Sequence, residues 1–221
     1  MPTFHCSAIL FDLDGVLVDS TATITRRWSL WAERQGLDPK KVMEVVHGRR
    51  TVEVISLVAP HLDAAAETIK IEKSVTDDAD PALPGALDLL QSLPVNNWCV
   101  VTSGTRNLAQ TRMKLAGLPL PLVMVGADDV TKGKPDPQPY LKGAELLGFP
   151  PSQCIVIEDA LAGVRAAHAG KMDVIAMATT YKPEELKEAD AVVSGLAEIR
   201  VALSRGKLRV EVYAAQRLKP D

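Results

Sequence analysis

The apolar run Ile9-Leu10-Phe11 ends in Asp12-Leu13-Asp14-Gly15, and this ending constrains the chain more than any other stretch. A short apolar run reads as a strand buried on both faces, as in a parallel sheet. Gly15 lets the backbone turn sharply where the strand stops. Carboxylates at the carboxyl end of such a strand stand where open α/β sheets hold their ligands. Two of them so close repel each other unless a cation or a shared proton intervenes. The plainer alternative is a loop whose acids face water.

The rest of the chain supplies a setting for that strand. After Ser20, Ile24, Trp28 and Trp31 recur at helical spacing up to Gly36. Asp38-Pro39 starts a second helix with Val42, Val45 and Val46 on its apolar face. Val52 to Ala59 and a segment capped by Asp63 read as two more, and Asp77-Asp78-Ala79-Asp80-Pro81 reads as a linker. From Leu83-Pro84-Gly85 the pattern changes to alternating helices and strands. Helices are expected around Leu87, Leu90 and Leu93, over Thr105 to Leu115, around Leu141, Ala144 and Leu147, and up to Ala169. Strands are expected at Trp98 to Thr102, Leu122 to Val125, Ile155 to Ile157, Val174 to Met177 and Ala191 to Val193. This alternation implies a parallel sheet with helices on both faces. Leu208 to Tyr213 alternates apolar and polar residues and reads as an edge strand, paired with Ile199 to Leu203 across Arg205-Gly206; the tail from Gln216 to Asp221 reads as mobile.

Four polar clusters fall at expected strand ends: Asp12 with Asp14, Thr102 to Gly104, Lys134, and Glu158 with Asp159. The steps from Thr102 to Lys134 (32 residues) and from Lys134 to Asp159 (25) are each about one strand-helix unit. The step from Asp12 to Thr102 is 90, about sixty too many, and the surplus matches the all-helical segment. That segment is therefore an insert above the strand ends. Acid oxygens from two strand ends make a hard, charged pocket suited to Mg²⁺. Thr102, Ser103 and Gly104 offer a hydroxyl and free amides at a strand-to-helix turn, where an anion is held, and Lys134 adds positive charge. Such a pocket suits a phosphate group. One carboxylate is then left to attack it, and another to move the proton.

In these motifs the chain resembles the haloacid dehalogenase-like superfamily. Phe11 to Ser20 matches its first motif, Val101-Thr102-Ser103-Gly104 its second, Lys132 to Pro137 its third and Ile157 to Gly163 its fourth. The resemblance implies a Rossmann-like doubly wound core of residues 1–15 and 85–221, with a small helical cap of residues 16–84. It further implies Asp12 as nucleophile, Asp14 as general acid/base, and Thr102 and Lys134 as phosphoryl ligands. Mg²⁺ would be held by Asp12, the Asp14 carbonyl and Asp159, with Glu158 in or near its shell. Asp14 separates the chain from the dehalogenase branch, which lacks an acid there. The insert has no isolated lysine assignable as the Schiff-base residue of the phosphonatase branch, although it carries Lys70 and Lys73. His47-Gly48-Arg49 and Leu83-Pro84-Gly85 are similar to the bacterial sugar- and polyol-phosphate phosphatases. Leu161 stands where a proline is common in the family, and the stretch before Trp98 is short.

The expectation is a Mg²⁺-dependent phosphatase of small phosphorylated sugars or polyols acting through an aspartyl-phosphate. A β-phosphoglucomutase-like phosphomutase, which shares all four motifs, is the alternative, and a non-catalytic binding protein on the same fold is a third. In the cap, His47, Gly48, Arg49 and Arg50 either read sugar hydroxyls or form a solvated basic turn. Trp28 and Trp31 are core or a stacking platform. A net charge of −3 gives no reason to expect nucleic acid or an anionic membrane as partner. A monomer or weak homodimer is expected. No apolar stretch reaches about 18 residues, the first residues lack the pattern of a signal peptide, and Cys6, Cys99 and Cys154 lack metal or redox spacing. Free thiols in a reducing cytoplasm fit.

Overall fold

A computed structural model describes residues 2–73, 79–204 and 206–213. Asp77 and Asp78 of the expected linker, Arg205 of the expected turn and the tail from Gln216 lie outside the described residues. The strands β1 (Thr3–Cys6) and β2 (Ala8–Phe11) lead into helices α1 (Thr21–Arg34), α2 (Pro39–Val46), α3 (Thr51–Val58) and α4 (Ala64–Lys73). Then follow α5 (Ala86–Ser92), β3 (Trp98–Val101), α6 (Arg106–Leu115), β4 (Met124–Val125), α7 (Gln138–Leu147) and β5 (Cys154–Glu158). The chain continues through α8 (Leu161–Ala169), β6 (Asp173–Met177), β7 (Ala191–Val193), β8 (Ile199–Ser204) and β9 (Lys207–Val212).

Six strands form one parallel sheet in the order β4-β3-β2-β5-β6-β7. Its hydrophobic residues divide by the two-residue period of a strand. Ile9 and Phe11 enter one buried cluster with Ala86, Leu89 and Met113, so α5 and α6 cover that face. Ala8 and Leu10 enter another with Tyr140, Ala144 and Val164, so α7 and α8 cover the other. The sheet is doubly wound, as expected from the alternation. Helices α1 to α4 carry a third cluster, in which Trp28 and Trp31 meet edge to face at 5.3 Å with Val42, Val54 and Ile55 around them. The stretches that lead into and out of these helices run side by side: Asp19 N donates to Pro81 O and Leu83 N to Leu17 O, each at 2.9 Å. No helix among the described residues is long and apolar enough to cross a membrane. The three cysteines are free and buried.

The end of the chain differs from the sequence reading. Lys207–Val212 is the middle strand of a separate antiparallel sheet, β1-β9-β8, and not an edge strand. Its second neighbour, Thr3–Cys6, is too short and too mixed in polarity to announce itself as a strand. Leu208, Val210 and Val212 seal the α5 side of the core. At the opposite edge the strand expected from Leu122 shrinks to Met124–Val125, with Leu122 69% exposed. In α5 the inward residues are Ala86, Leu89 and Leu90, while Leu87 faces outward.

Leu10 is fully buried on the central strand. Leu10→Ala is expected to cost ~2–5 kcal/mol, against ~0.5 kcal/mol or less for Leu122→Ala at the exposed edge. Urea unfolding midpoints measure both, and equal losses would contradict this placement of the core.

Candidate active site

β2 lies between β3 and β5, so three carboxyl ends of strands open side by side. Asp12 follows β2 directly, and its amide donates to Ile157 O at 2.9 Å, which ties the first motif to the fourth. Thr102 follows β3, and Glu158 and Asp159 end β5. Lys134 arrives from the loop before α7 and is fully buried. Its ammonium donates to Asp12 Oδ1 at 2.6 Å, Glu158 Oε1 at 2.7 Å and Val101 O at 3.1 Å. All three of its protons are therefore spent.

Asp12, Glu158 and Asp159 each bring a carboxylate oxygen within 4.8 Å of the others. One ammonium cannot balance three ionised carboxylates. Burial lifts the Asp12 carboxyl from 3.8 to about 7 even though Lys134 pulls the other way. Burial, then the charges of Glu158 and Asp12, push Asp159 well above the ordinary range. Burial alone would depress Lys134, but Asp12 and Glu158 hold it above its usual value. An oxygen-only cluster with surplus negative charge fits a hard divalent cation.

The three acids are not equivalent. Glu158 Oε1 accepts from Lys134 and from Tyr140 Oη (3.0 Å), while Oε2 accepts from the amides of Asp159 (2.8 Å) and Ala160 (2.7 Å). These bonds fill its four acceptor directions, so Glu158 serves as a fixed post at the start of α8. Asp159 Oδ2 accepts from the Thr180 hydroxyl, and Thr179 Oγ1 donates to Gly15 O at 2.6 Å. A Cβ at Gly15, where φ is +76°, would lie 2.2 Å from Asp159 Oδ2. Only glycine meets both demands.

The Asp14 carboxylate stands apart from this cluster. Its Oδ1 accepts from Ser20 Oγ at 2.6 Å and from the Arg112 guanidinium of α6. Beside it opens a cavity of about 90 Å³, bounded by Asp12, Asp14, Asp159, Thr102, Ser103 and Gly104. Gly104 N donates to Thr102 Oγ1 at 3.1 Å. Lys134 and Glu158 lie beneath this floor and do not line the cavity.

Helices α1 to α4 supply the roof. His47, Gly48 and Arg49 all line the cavity, as do Trp28 and Glu72. Burial holds His47 below its ordinary pKa, with Asp14 opposing, so its ring is neutral near pH 7; it meets Tyr181 edge to face at 6.0 Å. Gly48, at φ +76°, accepts through its carbonyl from Ser103 Oγ at 2.9 Å, and a Cβ there would lie 2.8 Å from the Ala160 Cβ. Glu72 Oε2 accepts from Thr105 Oγ1 at 3.0 Å. Arg50 is neither solvated nor turned to the cavity. It donates to Val130 O (2.8 Å) and Thr131 O (2.6 Å) and pairs with Glu53, which in turn accepts from Gly133 N at 2.8 Å. Trp28 and Trp31 belong to the helical core, and Trp31 Nε1 donates to Glu67 Oε2 at 3.0 Å. Lys70, 70% exposed and paired with Glu67, lies outside the cavity. Arg112, Tyr140, Thr180 and Glu72 escaped the sequence reading, because an inward-turned polar residue of a helix or loop, buried or half-buried, has no spacing signature of its own.

The raised Asp12 carboxyl has a consequence for stability. Without metal the folded chain holds that proton more tightly than the unfolded chain does. The stabilisation is full below pH 3.8, falls as pH rises, and is lost above about 7. In EDTA, Asp12→Asn is therefore expected to gain on the unmodified protein, by on the order of a few kcal/mol, as pH is raised through that window. Denaturant unfolding at each pH measures the difference, and a pH-independent gap would refute it.

The comparisons with known proteins agree with this geometry. The family described as haloacid dehalogenase-like hydrolase matches residues 6–171. Hexitol phosphatase A of Escherichia coli K12 is 41% identical over 204 residues, which cover 89% of this chain and 94% of that protein. Glycerol-1-phosphate phosphohydrolase 2 of Saccharomyces cerevisiae is 36% identical, covering 88% of this chain and 84% of its own. The crystal structure of a hydrolase from Pseudomonas syringae superposes with a TM-score of 0.75 at 26% identity, over 86% of this chain and 94% of that one. A shared sheet, four motifs in order and this extent of identity lead to one conclusion: the chain belongs to the haloacid dehalogenase-like hydrolases.

Proposed function

We propose that the chain is a Mg²⁺-dependent phosphatase of small phosphorylated sugars or polyols, acting through an aspartyl-phosphate on Asp12. The observation that carries this reading is the place of the Asp12 carboxylate. It meets the buried Lys134 ammonium on one side and the cavity with the Thr102–Gly104 turn on the other. An anion held by that turn lies against a carboxylate that Lys134 has fixed in place. Asp12 then forms a bond to phosphorus as the bond to the leaving alcohol breaks, and Asp14 gives that oxygen a proton. In the second half Asp14 takes a proton from water as the water oxygen attacks phosphorus, which frees Asp12 and phosphate. Asp12 and Asp159 would hold the metal, with the Asp14 carbonyl as the family resemblance implies and Glu158 behind them. When bound, Mg²⁺ offsets the charge of the transferring group and of the surplus carboxylates.

In this reading residues 1–15 and 85–221 are the catalytic core and 16–84 a cap. The Arg50–Glu53 grip on the 130–133 loop and the close approach of Gly48 to Ala160 support closure of that cap over the reacting group, which excludes bulk water. His47 and Arg49 are then placed to read the alcohol. The named activities of the hexitol and glycerol-1-phosphate relatives support a polyol or sugar phosphate as the substrate.

Phosphate release across polyol, sugar, nucleotide and glycolate phosphates is expected to be greatest with the first two classes and to vanish in EDTA. Asp12→Asn is expected to lower turnover by at least ~10³-fold with substrate binding retained. Full activity in that variant would exclude the aspartyl-phosphate route. Asp14→Asn is expected to stall as a phosphoenzyme visible by intact-mass spectrometry. A requirement for a sugar bisphosphate activator with no free phosphate would instead point to a mutase.

A further inference from the structure

Arg112 is a buried cation that the proposed chemistry leaves without a task. It lies on the inner side of α6, with 7% of its side chain exposed, and lines the cavity beside Asp14. A guanidinium so enclosed carries a desolvation cost that a well-placed anion must offset. The anion it bonds is Asp14, at Oδ1, the oxygen that Ser20 Oγ also approaches to 2.6 Å, while Glu72 on the same cavity feels its charge without a hydrogen bond between them among those described. Ser20 is itself fully buried. Both donors thus hold the same carboxylate oxygen, Ser20 from the start of α1 and Arg112 from α6. Neither bond uses Oδ2. The Nε of Arg112 is buried and without a hydrogen-bond partner among the described residues, so the guanidinium's bond to Asp14 is made through its terminal NH1.

We propose that Arg112, with Ser20, is a positioning residue for Asp14. By holding Oδ1 it fixes the carboxyl rotamer and presents Oδ2 to the oxygen of the departing alcohol. This inference rests on the phosphatase reading above and assigns that reading a residue outside its four motifs. As the bond from phosphorus to the alkyl oxygen breaks and the bond to the Asp12 oxygen forms, the proton on Asp14 passes from Oδ2 to the leaving oxygen. In this role Arg112 gives up no proton and acts through Asp14. Its effect is therefore confined to esters whose alcohol needs a proton in order to leave.

That confinement is the test. The quantity to measure is kcat/KM with Mg²⁺, which covers events up to departure of the alcohol and excludes hydrolysis of the phosphoenzyme. Glycerol phosphate, a poor leaving group, is compared with 4-nitrophenyl phosphate, a good one. Arg112→Met is expected to lose ~10²-fold or more with the first and ~10-fold or less with the second. Arg112→Lys should recover part of the alkyl-ester rate, since an ammonium can still donate to Oδ1. Ser20→Ala should show the same selectivity to a smaller degree, and it serves as the second probe if Arg112→Met does not fold. Equal loss with both esters in Arg112→Met and Ser20→Ala would overturn the assignment while leaving the phosphatase reading intact. Failure of the unmodified protein to hydrolyse either ester would remove both.

Discussion

The structure depends on one enclosed ion cluster, the Lys134 ammonium held between the carboxylates of Asp12 and Glu158. Charges are removed from water at a cost of several kcal/mol each, and only well-placed opposite charge and full hydrogen bonding recover it. Here the two acids come from β2 and β5, neighbours in the sheet, and the ammonium from a loop between them in sequence. The phenol of Tyr140 and two backbone amides complete the shell around Glu158. Gly163 leaves the space that Glu158 fills, since a Cβ there would lie 1.6 Å from Glu158 Oε1. The cluster is thus saturated on the Glu158 side. It stays short of positive charge on the side of Asp12 and Asp159, where the cavity opens.

The same loop that delivers Lys134 also joins the helical segment to the sheet. Gly133 is bonded to Glu53, and the carbonyls of Val130 and Thr131 are bonded to Arg50. The position of α3 and the position of the buried ammonium are therefore set by adjacent residues of one short stretch. Gly48 closes the opposite rim by packing without a side chain against Ala160. Two contacts to the fourth- and third-motif loops thus define how the roof sits over the floor.

Much of this was legible along the chain. The run Ile9–Phe11, the break at Gly15, and the placing of Thr102 and Glu158 at strand ends all rest on local periodicity and turn chemistry, which act over a few residues. The run of helices α1 to α4 was legible for the same reason, down to the Asp38 cap that accepts from Lys40 N at 3.0 Å. Of the short antiparallel sheet, the pairing of β8 with β9 was legible but the third strand was not. Its strands Thr3–Cys6 and Lys207–Val212 pair across nearly the whole chain, and nothing local distinguishes the first from a coil.

What the sequence determined by itself was the order of strands and helices and the presence of acids, a Thr-Ser-Gly turn and a lysine at the strand ends. Only the tertiary structure decided which partners those groups meet. It set Glu158 behind the site with every acceptor filled, placed Asp14 apart under Arg112 and Ser20, and turned Arg50 away from the cavity onto backbone carbonyls. The reason is physical. Periodicity and capping are short-range and leave a trace in neighbouring residues, whereas the partner of a buried charge is chosen by which side chains desolvation brings together from distant segments.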